Sequence, residues 1–328
     1  MRHSLLFVTA RRTTLYANSS SAIDLHHFSN LTPLVGSYPN HIRVLPTTTN
    51  RRVLRLHLHL ATATAAMSTR ASKRQKMTES PYRLIYWPGM PGRGEHVRLA
   101  FEATGTPYVD VTNQTDEGIQ ALLTRIDKKN RGDPHNPPLF APPVLEHGDV
   151  KISQTPNILL YLGGRLGLAP SPEDDVNGYY HVNSLTLTAL DGLSNEAHDV
   201  HHPIASSLYY EDQKDEALRK AKDYREVRLP KFFEYFDRVL SSPASGGGDY
   251  LYGDKLTYAD LVLFQTVDGV SYAFPKCVAK MKEGGEYEKV FALYDRVKGL
   301  DKVKAYLESD RRQKYSMGIY RHYPELDE

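Results

Sequence analysis

Cysteine is almost missing from this chain: Cys277 stands alone among 328 residues. A single thiol excludes a disulfide framework, a Cys-x-x-Cys redox pair and a cysteine-built zinc cluster, and it fits a reducing, intracellular compartment. No uninterrupted stretch of ~18 apolar residues occurs, so no membrane-spanning helix is expected. Acids are missing from one region only. Residues 1–78 hold eleven Lys and Arg against one acid, Asp24, a segment charge of +10 that leaves −8 for the rest of a chain totalling +2. That mildly acidic remainder argues against a nucleic-acid partner.

The basic segment is rich in Ser, Thr, Arg and His and lacks sustained periodicity, the composition of a disordered extension over residues 1–79. It reads equally as an organellar transit peptide or as the product of a mis-called start, since Met67 and Met77 lie just ahead of the regular pattern. LRLHLHL alternates with period two but has no evident sheet partner.

From Ser80 the pattern turns regular. YRLIYW and PYVDV read as strands flanking a helix over Glu95–Thr104, and a weak helix follows within Asp116–Lys129. VLEHGDVKIS is a hairpin around Gly-Asp, and TPNILLYLGGRLG a helix stopped by glycines. The order β-α-β-α-β-β-α makes residues 80–167 a compact α/β unit. After the polar linker LAPSPEDDV only helical signals remain, so 177–328 is expected to be all-α; within it Thr257-x-x-Asp260 is a capping box, a folding device.

The segment YWPGMPGRGE looks at first like a phosphate loop between strand and helix. Its glycines, Gly89, Gly92 and Gly94, run in the reverse order for a dinucleotide fingerprint, and the Gly-Lys-Ser/Thr of a Walker loop is missing. What remains is Tyr86 at a strand exit with Arg93 seven residues on, at a helix start. A phenol, an arginine and helix amides together favour an anion such as a thiolate, although a half-buried strand tyrosine beside a solvated arginine explains the same residues. The second segment, PPVLEHGDVKISQT, places Pro143 ahead of a strand, where a cis bond leaves the backbone of Val144 open to an extended peptide. Gln154 and Thr155 then open a helix, with Thr155 as N-cap and the following amides suited to a carboxylate.

In order and spacing these motifs resemble the cytosolic glutathione S-transferases, close to the tyrosine-type, sigma-like group, over residues ~81–328. The shared features are the tyrosine in the first strand, Gly-Arg-Gly-Glu, Pro-Val-Leu with Gln-Thr downstream, and Leu-Thr-x-Ala-Asp. The resemblance implies a thioredoxin-like N-terminal domain, an all-α C-terminal domain and a homodimer. It implies glutathione as cosubstrate with no further cofactor, no metal, no nucleic acid and no membrane. By position, Tyr86 would bond the glutathione thiolate with Arg93 assisting, Pro143 and Val144 would take the cysteinyl unit, and Gln154 and Thr155 the γ-glutamyl end. Thr155 replaces the usual serine. The family's Trp and Lys for the glycyl carboxylate have no match, which leaves Lys128, Lys129 or Arg131; Asp191 is the candidate for reaching the partner subunit's ligand.

The electrophile cleft is placed beside Trp87 and Met90, with the first C-terminal helix. His198, His201 and His202 read as a helix end near the cleft in preference to a zinc site, because zinc ligands usually come from separate elements. Cys277 reads as a small buried hydrophobe. The C-terminal tail, with Tyr315, Tyr320 and Tyr323, either covers the helical domain or folds over the cleft mouth. The expected activity is conjugation of glutathione to an apolar electrophile in the cytoplasm, or in mitochondria if the extension is a transit peptide. A glutathione-dependent isomerase or peroxidase, and a silent ligand-binding regulator, are the alternatives.

Overall fold

The computed structural model describes residues 80–328; the basic extension and LRLHLHL lie outside the described residues. Four strands form one sheet in the order β2-β1-β3-β4: Tyr82–Ile85 (β1), Tyr108–Asp110 (β2), Val144–His147 (β3) and Val150–Ser153 (β4). The β1–β2 pair is parallel and the other two are antiparallel. Alternation along β1 sends consecutive apolar residues to opposite faces. Leu84 packs with Val97, Phe101, Leu145, Ile158 and Leu162, and Ile85 with Val111, Leu122 and Val144. The sheet is therefore covered on both faces.

Helix α1 (Gly94–Thr104) follows β1 and stops at Gly105, whose left-handed φ of 71° lets its N–H close on the carbonyls of Phe101 and Glu102. A short helix α2 (Val111–Gln114), unsignalled in the sequence, precedes α3 (Gly118–Arg125), and α4 (Thr155–Leu166) ends at the left-handed Gly167. The proline-rich segment between α3 and β3 lies against β4. The Asn136 amide donates to the Asp149 carbonyl (2.9 Å) and its oxygen accepts from the Lys151 N–H (2.9 Å), so a side chain satisfies backbone groups that an edge strand leaves open.

The helical part begins with α5 (Val176–Leu187), continues through a wide π-type turn (Thr188–Ser194) into α6 (Asn195–Val200), and then runs α7 (Lys214–Asp223), α8 (Leu229–Leu240), α9 (Tyr258–Ala273), α10 (Pro275–Glu283), α11 (Glu288–Gly299) and α12 (Asp301–Leu307). Helix α9 is buried along nearly all its length and forms the axis of this core. Helix α1 packs against α9 and α12, and Leu99 and Ala100 join the helical core, so the sheet-bearing and helical parts share apolar packing. No described helix is long and apolar enough to cross a membrane.

The Thr257/Asp260 capping box is present: the Asp260 carboxylate accepts from the Thr257 N–H and hydroxyl, both at 2.7 Å, and also from the Leu251 N–H at 2.7 Å. Thr257→Ala should cost about 1–2 kcal/mol and lower Tm by roughly 2–8 °C, read by calorimetry. An unchanged Tm would show the box to be dispensable.

Candidate active-site cleft

The glycines of YWPGMPGRGE serve the tyrosine. A Cβ at Gly92 would stand 2.3 Å from the Tyr86 hydroxyl oxygen, and one at Gly94 2.7 Å from the Tyr86 ring. The turn thus folds flat over the phenol and buries it. The Tyr86 hydroxyl oxygen accepts the Arg93 N–H at 2.9 Å, which leaves its own proton to be donated elsewhere. Burial raises the phenol above its ordinary value, while the Arg93 N–H and the charges of Arg93 and Arg98 partly offset that. At neutral pH Tyr86 is therefore a protonated donor. The helix amides expected to meet the anion directly are partly committed: that of Arg93 goes to Tyr86, and that of Glu95 to the Pro91 carbonyl at 3.0 Å.

Beneath the turn lies a buried ion network that sequence patterning hid within an ordinary helix. Arg98, fully buried, donates to Asp110 (2.7 Å), Glu95 (3.1 Å) and the Pro91 carbonyl (3.2 Å). Glu95 also accepts from Tyr306 (2.6 Å) and pairs with Arg312, which reaches Asp268 at 3.0 Å. Burial alone would raise the Glu95 carboxyl, but Arg312 and Arg98 hold it below its usual value. The turn is thereby tied to α1, to α12 and to the start of the C-terminal tail.

Tyr86, Trp87, Met90 and Arg93 line one cleft of about 370 Å³, closed by Asn195 and His198 of α6 and by Met317, Gly318, Ile319 and Arg321 of the tail. The Arg93 guanidinium donates to the Asn195 amide oxygen. The tail both packs on the helices and lines the cleft. Tyr320 is buried with its hydroxyl on Ser194 (2.9 Å), Tyr315 donates to Asp268 (2.7 Å), and Tyr323 stacks on Tyr210 with ring centroids 3.9 Å apart. His198, His201 and His202 cluster with ring centroids 4.7–5.1 Å apart. Burial depresses all three, His201 to about 3, and the His201 Nε2 meets the Ile319 carbonyl at 3.0 Å, so a neutral His201 braces the tail. Among the described residues no group of His, Cys, Asp and Glu is arranged to hold a metal ion.

A second hollow, about 470 Å³, lies between the proline-rich loop and β4 and includes Lys151, Gln154 and Asn157. The Pro142–Pro143 bond is cis, and Val144 opens β3 with its side chain buried, in register with Ile85 and Ser153. Gln154 is the one non-glycine among the described residues with positive φ (71°), a backbone held in a region that costs about 1–3 kcal/mol, and its exposed side chain makes no hydrogen bond there. Thr155 departs from expectation. Gln154 holds the N-cap position and Thr155 is the first helical residue; its hydroxyl donates to the Arg93 carbonyl at 3.3 Å and so joins the two segments.

Lys128, Lys129 and Arg131 are exposed in the turn after α3, and Asp191 is exposed in the wide turn; none of the four lines either cavity. Asn195, Arg321 and the Met317–Ile319 segment went unforeseen individually, because each lies more than a hundred residues from Arg93 and no local pattern marks it. Cys277 is half-buried, and burial raises its thiol.

Residues 198–310 match a family model described as "Glutathione S-transferase, C-terminal domain". The chain is 25% identical over 235 residues to glutathione S-transferase P 1 of Xenopus laevis, covering 71% of this chain and 94% of that protein. It is 26% identical over 235 residues to glutathione S-transferase Mu 2 of Rattus norvegicus, covering 70% and 92%. The solved structure of the Pi-class glutathione S-transferase of Onchocerca volvulus superposes with a TM-score of 0.51 at 21% identity, covering 69% and 92%. That of prostaglandin synthase D of Nilaparvata lugens gives 0.50 at 22%, covering 70% and 98%. The chain thus carries the glutathione transferase fold, a sheet-bearing domain followed by an all-α one.

Proposed function

We propose that this chain is a tyrosine-type glutathione transferase, which conjugates the glutathione thiol to an electrophile with an apolar body and needs no further cofactor. The observation that carries the reading is the Tyr86 hydroxyl, buried, protonated at neutral pH, fixed by the Arg93 N–H and facing a cleft that also holds the Arg93 guanidinium. A thiolate accepting the Tyr86 proton gains a hydrogen bond that a neutral thiol does not match, so the thiol releases its proton to solvent at lower pH. The thiolate then attacks an electrophilic carbon held against Trp87 and Met90: the C–S bond forms as a leaving group departs with its electron pair or, at an activated alkene, as the π bond opens to a carbanion that solvent protonates. Pro143 and Val144 would take the cysteinyl unit, and the strained Gln154, with Thr155, the γ-glutamyl end. Lys128 would take the glycyl carboxylate; Lys151, which lines the second hollow, is paired there with Asp133 at 3.0 Å.

Retention on glutathione-agarose, together with the ultraviolet absorbance of bound thiolate titrated against pH, tests this reading. Binding with a thiol pKa well under ~8.5 supports it; no retention, or an ordinary pKa, sinks it and leaves a silent ligand-binding protein. The same thiolate would serve an isomerase or peroxidase, which a product screen separates.

The reading extends to a homodimer. Phe140, in the proline-rich loop, is 90% exposed, which leaves its whole ring available for a partner subunit to cover. A two-fold interface buries two copies at about 1.5–3 kcal/mol each, so Phe140→Ser should weaken dimerisation by more than ~100-fold. Sedimentation of wild type and variant reads this directly. A monomeric wild type, or an unchanged dissociation constant, removes the dimer or the role of Phe140.

A further inference from the structure

The cleft carries a charge imbalance that thiolate activation does not absorb. Its lining includes two guanidinium groups, Arg93 and Arg321, and no carboxylate. Arg93 is held on the neutral Asn195 amide, and the Arg321 Nε reaches only the Gly318 carbonyl, at 3.3 Å. Among the described residues neither makes an ion pair, and the terminal nitrogens of Arg321 make no hydrogen bond. The two charges overlap only in part: that of Arg93 bears on Tyr86 and His198, that of Arg321 on all three neutral histidines and not on Tyr86. A guanidinium presents a planar fork matched to a carboxylate, and a partly desolvated one without an anion is costly. Next to it the tail turns back on the catalytic turn, since a Cβ at Gly318 would lie 3.7 Å from the Met90 sulfur.

From this arrangement we infer that the second substrate is amphipathic, an electrophile with a carboxylate that pairs with Arg321 while its apolar body lies between Trp87 and Met90 on one wall and Met317 and Ile319 on the other. Arg321 is then a specificity-determining residue supplied by the tail, and Arg93 is left to the thiolate. The inference rests on the proposed function in taking this cleft as the electrophile's.

Trp87 is the sole tryptophan and lines the cleft, so its fluorescence reports binding without any turnover. The full chain is titrated with a saturated aryl carboxylate and separately with its methyl ester. The acid should bind about tenfold or more tightly than the ester, Arg321→Gln should abolish that preference, and Arg321→Lys should restore part of it. In turnover with an aryl enone carrying a para-carboxylate, Arg321→Gln should raise KM for the acid about tenfold. It should leave KM for the matching ester, and for glutathione, in place. Equal affinities for acid and ester in wild type, or a preference that survives Arg321→Gln, overturn the inference. Carboxylate binding through Arg321 with no conjugation of either enone would keep the inference and overturn the transferase reading.

Discussion

Tyr86→Phe is expected to raise the pKa of the bound glutathione thiol by about 1–2 units and to cut kcat/KM about 10- to 100-fold at mildly acidic pH. The hydroxyl proton has no acceptor within the turn, while its oxygen already accepts the Arg93 N–H. A hydrogen bond to a charged acceptor is worth about 1.5–3 kcal/mol, and its loss falls on the thiolate alone. The sign follows from which form bonds: without the donor the thiolate is less favoured, so the thiol titrates later. The deficit should shrink as pH rises past the variant's thiol pKa, where both proteins hold thiolate. The Tyr86 phenol, raised by burial, stays protonated through this range and adds no alkaline fall near neutrality. Thiolate absorbance against pH reads the shift. An unchanged thiol pKa in the variant would remove Tyr86 from the mechanism.

Arg98→Met should destabilise the protein by about 3–5 kcal/mol, lowering Tm by roughly 6–20 °C. The substitution keeps most of the volume but removes the cation between the buried carboxylates of Glu95 and Asp110, and frees the Pro91 carbonyl of the turn over Tyr86. The pH dependence has a definite sign. Glu95 is held below its ordinary value against the opposing effect of burial, so its contribution is full above the unfolded carboxylate pKa and is lost as pH falls through the folded one. The gap between wild type and variant should therefore narrow in acid. Thermal melts from neutral to acid pH test this, and a Tm within about 2 °C of wild type at neutral pH would show the network to be replaceable by packing.

Much of the candidate site is local in sequence, which is why it was legible. Tyr86 and Arg93 are seven residues apart, and the glycines between them are required by one ring lying over one turn. Glu95 and Arg98 belong to the same stretch, yet their spacing fits a solvated helical pair equally well. Only the return of α12 and the tail onto α1 makes them a buried network. The Thr155 hydroxyl shows the limit of capping rules: Gln154, in its strained conformation, takes the N-cap position and turns Thr155 toward Arg93.

By itself the sequence determined the order of strands and helices, the box that starts α9, and the pairing of a tyrosine turn with a proline-led strand, because periodicity, caps and turn residues act over a few positions. Tertiary structure alone decided which distant groups share a cleft. Asn195 meets Arg93 across 102 positions, and Arg321 reaches the cleft only because Tyr320 is buried beside Ser194 and His201 holds the Ile319 carbonyl. Those contacts depend on packing between elements far apart in the chain, and no short-range pattern encodes them.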